Sequence, residues 1–153
     1  MPGFEALYKQ TITLFNRKSD GFETIWYPFI IKNVHLIIDK AVIIGSYGEQ
    51  SQDNARVHIR YKPTVDGAVV DGKLYLPQKE WGRVGDPDYN FTLAFGDDYD
   101  FFIEGEFDMG GPISDEDYNN GFYNFMNKKY DNVYVITSVS KFNLIPHFEI
   151  GAK

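Results

Sequence analysis

Apolar and polar residues alternate with a period of two through much of the chain, in short segments rich in β-branched and aromatic residues that Gly, Asp, Asn and Pro separate. That period sends alternate side chains to opposite faces of an extended strand. Residues 11–16 set Ile12 and Leu14 against Thr11 and Thr13, and the polar stretch Arg17-Lys18-Ser19-Asp20-Gly21 has turn chemistry, so a hairpin is predicted. Its second arm is 23–31, continuing through Val34 to Ile38, where Pro28 lacks a ladder donor and points to an edge position, a bulge or a bend. Residues 54–62 form the cleanest amphipathic strand, with Ala55, Val57, Ile59 and Tyr61 on one face and Arg56, His58, Arg60 and Lys62 on the other.

From about 63 to 90 the pattern weakens. Turn signals at Asp66-Gly67, Asp71-Gly72 and Asp86-Pro87 leave only short apolar runs, which reads as a long inserted excursion with small hairpins. Residues 91–95 and 101–103 are predicted to form a strand pair, and 133–139 and 144–150 another that ties the end of the sequence into the sheet. A helix is predicted over about 114–130: Ser114 as cap, Asp115, Glu116 and Asp117 in the first turn, Lys128 and Lys129 at the end. Tyr118, Phe122, Phe125 and Met126 would then face the core, with Gly121 a weak point. The chain is therefore expected to be one mainly β domain over 1–153, a small β-barrel or sandwich carrying the excursion and one helix.

Composition narrows the function. There is no cysteine, which removes disulfides, thiolate metal sites and cysteine nucleophiles. The formal charge of -7 disfavours a surface built to hold nucleic acid or an anionic membrane. No apolar run is long enough for a membrane span, and Met1-Pro2-Gly3-Phe4-Glu5 lacks the basic then apolar order of a signal peptide, so synthesis in the cytosol is expected.

Candidate chemistry is sparse. His35, His58 and His147 are isolated from one another in the sequence, without a ligand-like spacing, so no metal site is expected. Asp86-x-Asp88-x-Asn90 resembles the start of a calcium loop, but Phe91 stands where a Gly is needed, and the segment reads as a turn. Nucleotide-binding and hydrolase motifs are absent, so no catalytic residue or cofactor is expected. Two charged segments remain. The carboxylates Asp97, Asp98, Asp100, Glu104, Glu106 and Asp108 form an acidic stretch; Arg56, Arg60 and Lys62 form a basic strand face. The acidic stretch could hold Ca²⁺ or supply an acid–base pair, against a solvated acidic surface, and the basic face could meet an acidic neighbouring subunit, against an ordinary solvent-facing strand. Trp26, Tyr27, Trp81 and Tyr89 offer an alternative, a carbohydrate-stacking platform, against an ordinary aromatic core.

The order of 11–16, a polar turn, Trp26-Tyr27-Pro28-Phe29-Ile30-Ile31-Lys32-Asn33-Val34 and Ala55-Arg56-Val57-His58-Ile59 resembles the opening of small head-tail joining proteins of long-tailed bacteriophages and prophages. The closing segments, 134–139 and 145–150, are similar to the ends of prophage proteins of this size. The resemblance covers about half the chain and points to the head-closure (stopper) or minor capsid type. It implies a non-enzymatic β-barrel in a homo-oligomeric ring at the virion's head-tail junction, made in the host cytoplasm, with no membrane partner. Portal or adaptor proteins would lie above the ring and the tail tube or a tail-completion protein below, with DNA passing through unbound. It also implies that the 63–90 excursion reaches into the channel as a plug or packs on a neighbouring ring. A tail-completion or terminator protein is the nearest alternative.

Overall fold

The first hairpin forms where the alternation places it. β1 (Gln10–Ser19) and β2 (Thr24–Ile38) pair antiparallel, ending at Ser19↔Thr24. The Asp20 carboxylate closes the turn by accepting the Phe22 and Glu23 N–H groups at 2.9 Å each, and Gly21 supplies a φ of +91°. The structure is a computed structural model that describes residues 7–38 and 54–153; the reading of Met1 to Glu5 lies outside them.

The remaining elements are β3 (Ala55–Arg60), β4 (Lys62–Thr64), β5 (Gly67–Val70), β6 (Lys73–Tyr75), α1 (Gln78–Val84), β7 (Asn90–Phe91), β8 (Phe101–Glu104), β9 (Ile113–Ser114), α2 (Phe122–Lys129), β10 (Val133–Phe142) and β11 (His147–Ala152). Six strands close on themselves in the order β1-β8-β10-β11-β3-β2, with the β1–β2 hairpin sealing the ring and β9 adding to β2. The fold is a small β-barrel. In this ring β3 and β8 lie three strands apart by either route, on opposite sides.

Alternation fills the interior. Ile12, Leu14, Ile31, Val57, Ile59, Phe148 and Ile150 point inward and are buried in one cluster. Burying a side chain of this size contributes about 1.5–3 kcal/mol. β2 is long enough to serve two neighbours because the β1–β2 register shifts at Gln10/Thr11, opposite Asn33, whose φ is +59°. Pro28 lies where β2 has β1 as its ladder neighbour, between the contacts with β9 and β3, as the missing donor requires.

The excursion is more ordered than its sequence suggests. β4, β5, β6 and β7 form a second sheet, and its Ala68, Val70 and Phe91 join the barrel's interior cluster. It is fixed to β2 by the Asp71 carboxylate, which accepts the Lys32 N–H at 2.8 Å, and to β1 by Trp81, whose Nε1–H donates to the Arg17 carbonyl at 3.0 Å. The apolar side of this segment is thus committed to its own barrel, which counts against a plug free to enter a channel. α1 was not foreseen. It holds one buried residue, Trp81, in seven, too few to register as a helical period.

Two further expectations are corrected. The helix starts at Phe122 rather than at 114: Ser114 ends β9, and Asp115–Asp117 make a single 3-10 turn. Asp115 acts instead as a remote cap, its Oδ1 accepting the Phe122 N–H at 2.8 Å and the Trp26 Nε1–H at 2.9 Å, while Gly121 turns the chain with a φ of +88°. Phe122 and Met126 then pack with Phe15, Trp26, Phe101 and Ile103 in a second, external core. Segments 91–95 and 101–103 do not pair as a ladder; β7 runs parallel to β6, and β8 lies between β1 and β10. The Asp100 side chain takes the place of that ladder.

Candidate functional site

The basic residues predicted on one strand are divided between two sheets. On β3, Arg56 and Arg60 are exposed while Val57 and Ile59 are buried; Lys62 is exposed on β4. Arg60 places its guanidinium 4.4 Å above the Tyr8 ring centre.

The acidic stretch is not one face. β8 divides it, leaving Asp97 and Asp98 on the loop before the strand and Glu106 and Asp108 on the loop after it, all exposed, with Glu104 half-buried. Asp98 meets Arg17 at 3.3 Å and Glu106 meets Lys32 at 3.4 Å, both at the surface and so worth little to stability. Glu104 accepts the Asn132 amide at 3.2 Å, and Asp108 accepts the Gly110 N–H at 3.0 Å.

Asp100 leaves the surface set altogether. It is fully buried, its Oδ1 accepting the Arg17 N–H at 2.8 Å and its Oδ2 accepting the Ala94 N–H and the Asn16 amide at 2.9 Å each. Asn16 also donates to the Thr92 carbonyl at 2.7 Å and accepts the Thr92 N–H at 3.2 Å. Burial pushes the Asp100 carboxyl up to about 7, opposed by the N–H donors of Arg17 and Ala94, the Asn16 amide and the Arg17 charge. Its job is structural: it ties the 92–100 segment to β1 without a strand ladder.

The strand register assembles a group that the sequence scatters. His35 on β2 stands opposite His58 on β3, and His58 stands opposite Glu149 on β11. His147, opposite Arg60, lies diagonally beside His58. The His58 and His147 rings stack with centres 5.7 Å apart and planes at 3°, and Phe142 covers the other side of His147 at 4.9 Å. Glu149 Oε1 is 3.6 Å from both His58 Nδ1 and His147 Nε2. Desolvation lowers the His58 pKa, Glu149 opposes it, and His35, His147 and Arg56 add to the lowering.

The aromatic platform does not exist as a surface. Trp26 and Trp81 are buried, and of the four residues only Tyr89 is strongly exposed. A cavity of about 490 Å³ opens beside β2, lined by Tyr27, Phe29, Lys73, Phe107 and Met109 among others. Its lysine is already engaged, donating to the Pro87 carbonyl and lying 4.8 Å over the Phe29 ring.

Residues 7–153 match a family of unknown function, DUF6751. The chain belongs to that family. The match spans both sheets and the external helix of the DUF6751 fold, so the barrel and its excursion are one family unit. No curated protein and no solved structure matches the chain.

For this DUF6751 member, reading the sequence locally missed the histidine row and misplaced Asp100. The row depends on which strands are neighbours, which no spacing along the chain reveals. Asp100 carried a usable signal: it immediately precedes Phe101-Phe102-Ile103, a run of three buried residues.

Proposed function

We propose that the chain is a structural ring subunit of a tailed-phage head-tail connector, of the head-closure type, bounding the channel through which DNA passes. The observation that carries the reading is the placement of charge on a closed barrel. Exposed Arg56 and Arg60 occupy β3, while Asp97, Asp98, Glu106 and Asp108 flank β8 on the opposite side. Ring subunits meet head to tail, so one face must complement a different face of the next copy. A basic strand on one side of the barrel and acidic loops at the two ends of a strand on the other offer such complementary surfaces, and acidic loops turned to a lumen repel phosphate. The resemblance of the opening segments to head-tail joining proteins, and of the closing segments to prophage proteins of this size, supports the same role.

Mass spectrometry of purified particles from a host carrying the gene, with immunogold labelling, is the direct test. The chain should be found in particles, labelled at the head-tail junction. Its absence from intact particles would overturn the proposal, and a label at the far end of the tail tube would favour a terminator. The carbohydrate-binding alternative has no specific support, because its two tryptophans are buried.

A further inference from the structure

Glu149, His58 and His147 are, among the described residues, a group of three potential ligands whose donor atoms lie within 4.8 Å of one another. The separations are informative. At 3.6 Å from Glu149 Oε1, neither His58 Nδ1 nor His147 Nε2 is hydrogen-bonded to it. A tetrahedral ion with bonds of about 2.0–2.1 Å spaces its ligand atoms about 3.4 Å apart. Two of the three separations are close to that spacing and the third is at most 4.8 Å, so the atoms leave room for an ion between them rather than bonding to each other.

The orientation of His147 is set as well. Its Nδ1 lies 2.6 Å from the Ile145 carbonyl oxygen, which can only accept, so Nδ1 carries a proton and Nε2 is the nitrogen that faces Glu149. A backbone carbonyl holding the far nitrogen is the usual support of a metal-ligating histidine. Phe142 stacks on the His147 ring and fixes its direction, while the His58 ring lies nearly parallel to it and has to turn about its Cβ–Cγ bond to aim Nδ1 at the same ion. The side chains of His58 and His147 are 25% and 16% exposed, sheltered yet reachable from solvent.

We propose that His58 Nδ1, His147 Nε2 and Glu149 Oε1 form a site for a divalent transition-metal ion of the Zn²⁺ class on the outer face of β3 and β11. Imidazole and carboxylate donors suit Zn²⁺, and three protein ligands leave a fourth position for water. The inference is independent of the ring reading, since it uses only contacts within one chain.

The test is a calorimetric titration of the full, chelator-treated chain with Zn²⁺, paralleled by Co²⁺ with its visible absorption recorded. One ion per chain and a four- or five-coordinate Co²⁺ spectrum are expected. His147→Ala and the nearly isosteric Glu149→Gln should each weaken Zn²⁺ binding by at least about tenfold, whereas Asp98→Asn on the far side should not change it. Zn²⁺ should also protect His58 and His147 of the unaltered chain from carbethoxylation, a readout that needs no variant to fold. Absence of Zn²⁺ binding, binding indifferent to both site variants, or unprotected histidines would overturn the assignment.

Discussion

Replacing Asp100 by asparagine should make the protein relatively more stable as the pH rises. The carboxyl is buried with a pKa raised to about 7, against 3.8 for the free group. A raised value in the folded state means that its contribution to stability is complete below the unfolded pKa and is lost as pH rises through the folded one. Between pH 5 and 7 the unfolded chain has already released this proton while the folded chain still holds it. At about 1.4 kcal/mol per pH unit the loss is about 3 kcal/mol by pH 9. An asparagine amide is the nearest neutral match: its oxygen can keep the Asn16 and Ala94 bonds, but its NH₂ cannot accept the Arg17 N–H as a hydroxyl oxygen could. At pH 5 the variant should therefore trail by about 1–3 kcal/mol, the cost of one orphaned donor. By pH 9 the difference should have moved by about 3 kcal/mol in favour of the variant. Arg17 and its partner Asp98 are common to both proteins and largely cancel in the difference. Urea denaturation at pH 5, 7 and 9 measures it. A difference that is flat, or that moves in favour of the native residue at high pH, would show that the N–H donors outweigh burial and refute the reasoning. Asp100→Ala is the harsher comparison: it orphans the Arg17 and Ala94 N–H groups and should cost about 2–6 kcal/mol.

Other expectations are simpler. The Thr92 hydroxyl is buried without a hydrogen-bond partner among the described residues, so Thr92→Val should change stability by less than about 1 kcal/mol or raise it, as a urea midpoint would show. Phe148 is buried against Tyr61, Tyr75 and Phe91, and Phe148→Ala should cost about 3–5 kcal/mol in the same assay. Gly121→Ala places a Cβ 3.3 Å from the Asp115 carboxylate at a φ of +88°, and should cost about 1–3 kcal/mol with loss of α2 helicity by circular dichroism. Deleting 73–84 removes β6 and Trp81, and should abolish the cooperative thermal transition rather than yield a folded barrel lacking its excursion.

The strands were legible because alternation is a local property: Ile12 and Leu14, or Val57 and Ile59, announce a buried face within a few residues. Closure was less legible, since it depends on β1 meeting β8 and on β11 entering between β10 and β3. The helix start was misread because Asp115 looks like a first-turn residue but caps the helix from seven residues away. Of the site residues, Arg56 and Arg60 could be placed from the β3 period alone, whereas Lys62 lies past the end of that strand, on β4. The pairing of His58 with Glu149 needed a register, and Asp100 needed knowledge of which loop was buried, both fixed by distant segments.

The position of β11 has a consequence for how the protein is made. It follows the other ten described strands in chain order, yet it belongs in the middle of the ring, hydrogen-bonded to β10 on one side and β3 on the other. Until it arrives, both of those strands present an open edge and the apolar interior has a slot where Phe148 and Ile150 will sit. The β1–β2 hairpin can form early, but barrel closure has to wait for synthesis of residues 147–152. Closure therefore comes only after the other strands have been made, and the nascent chain just before that step is the species most exposed to strand-edge aggregation and to chaperone capture.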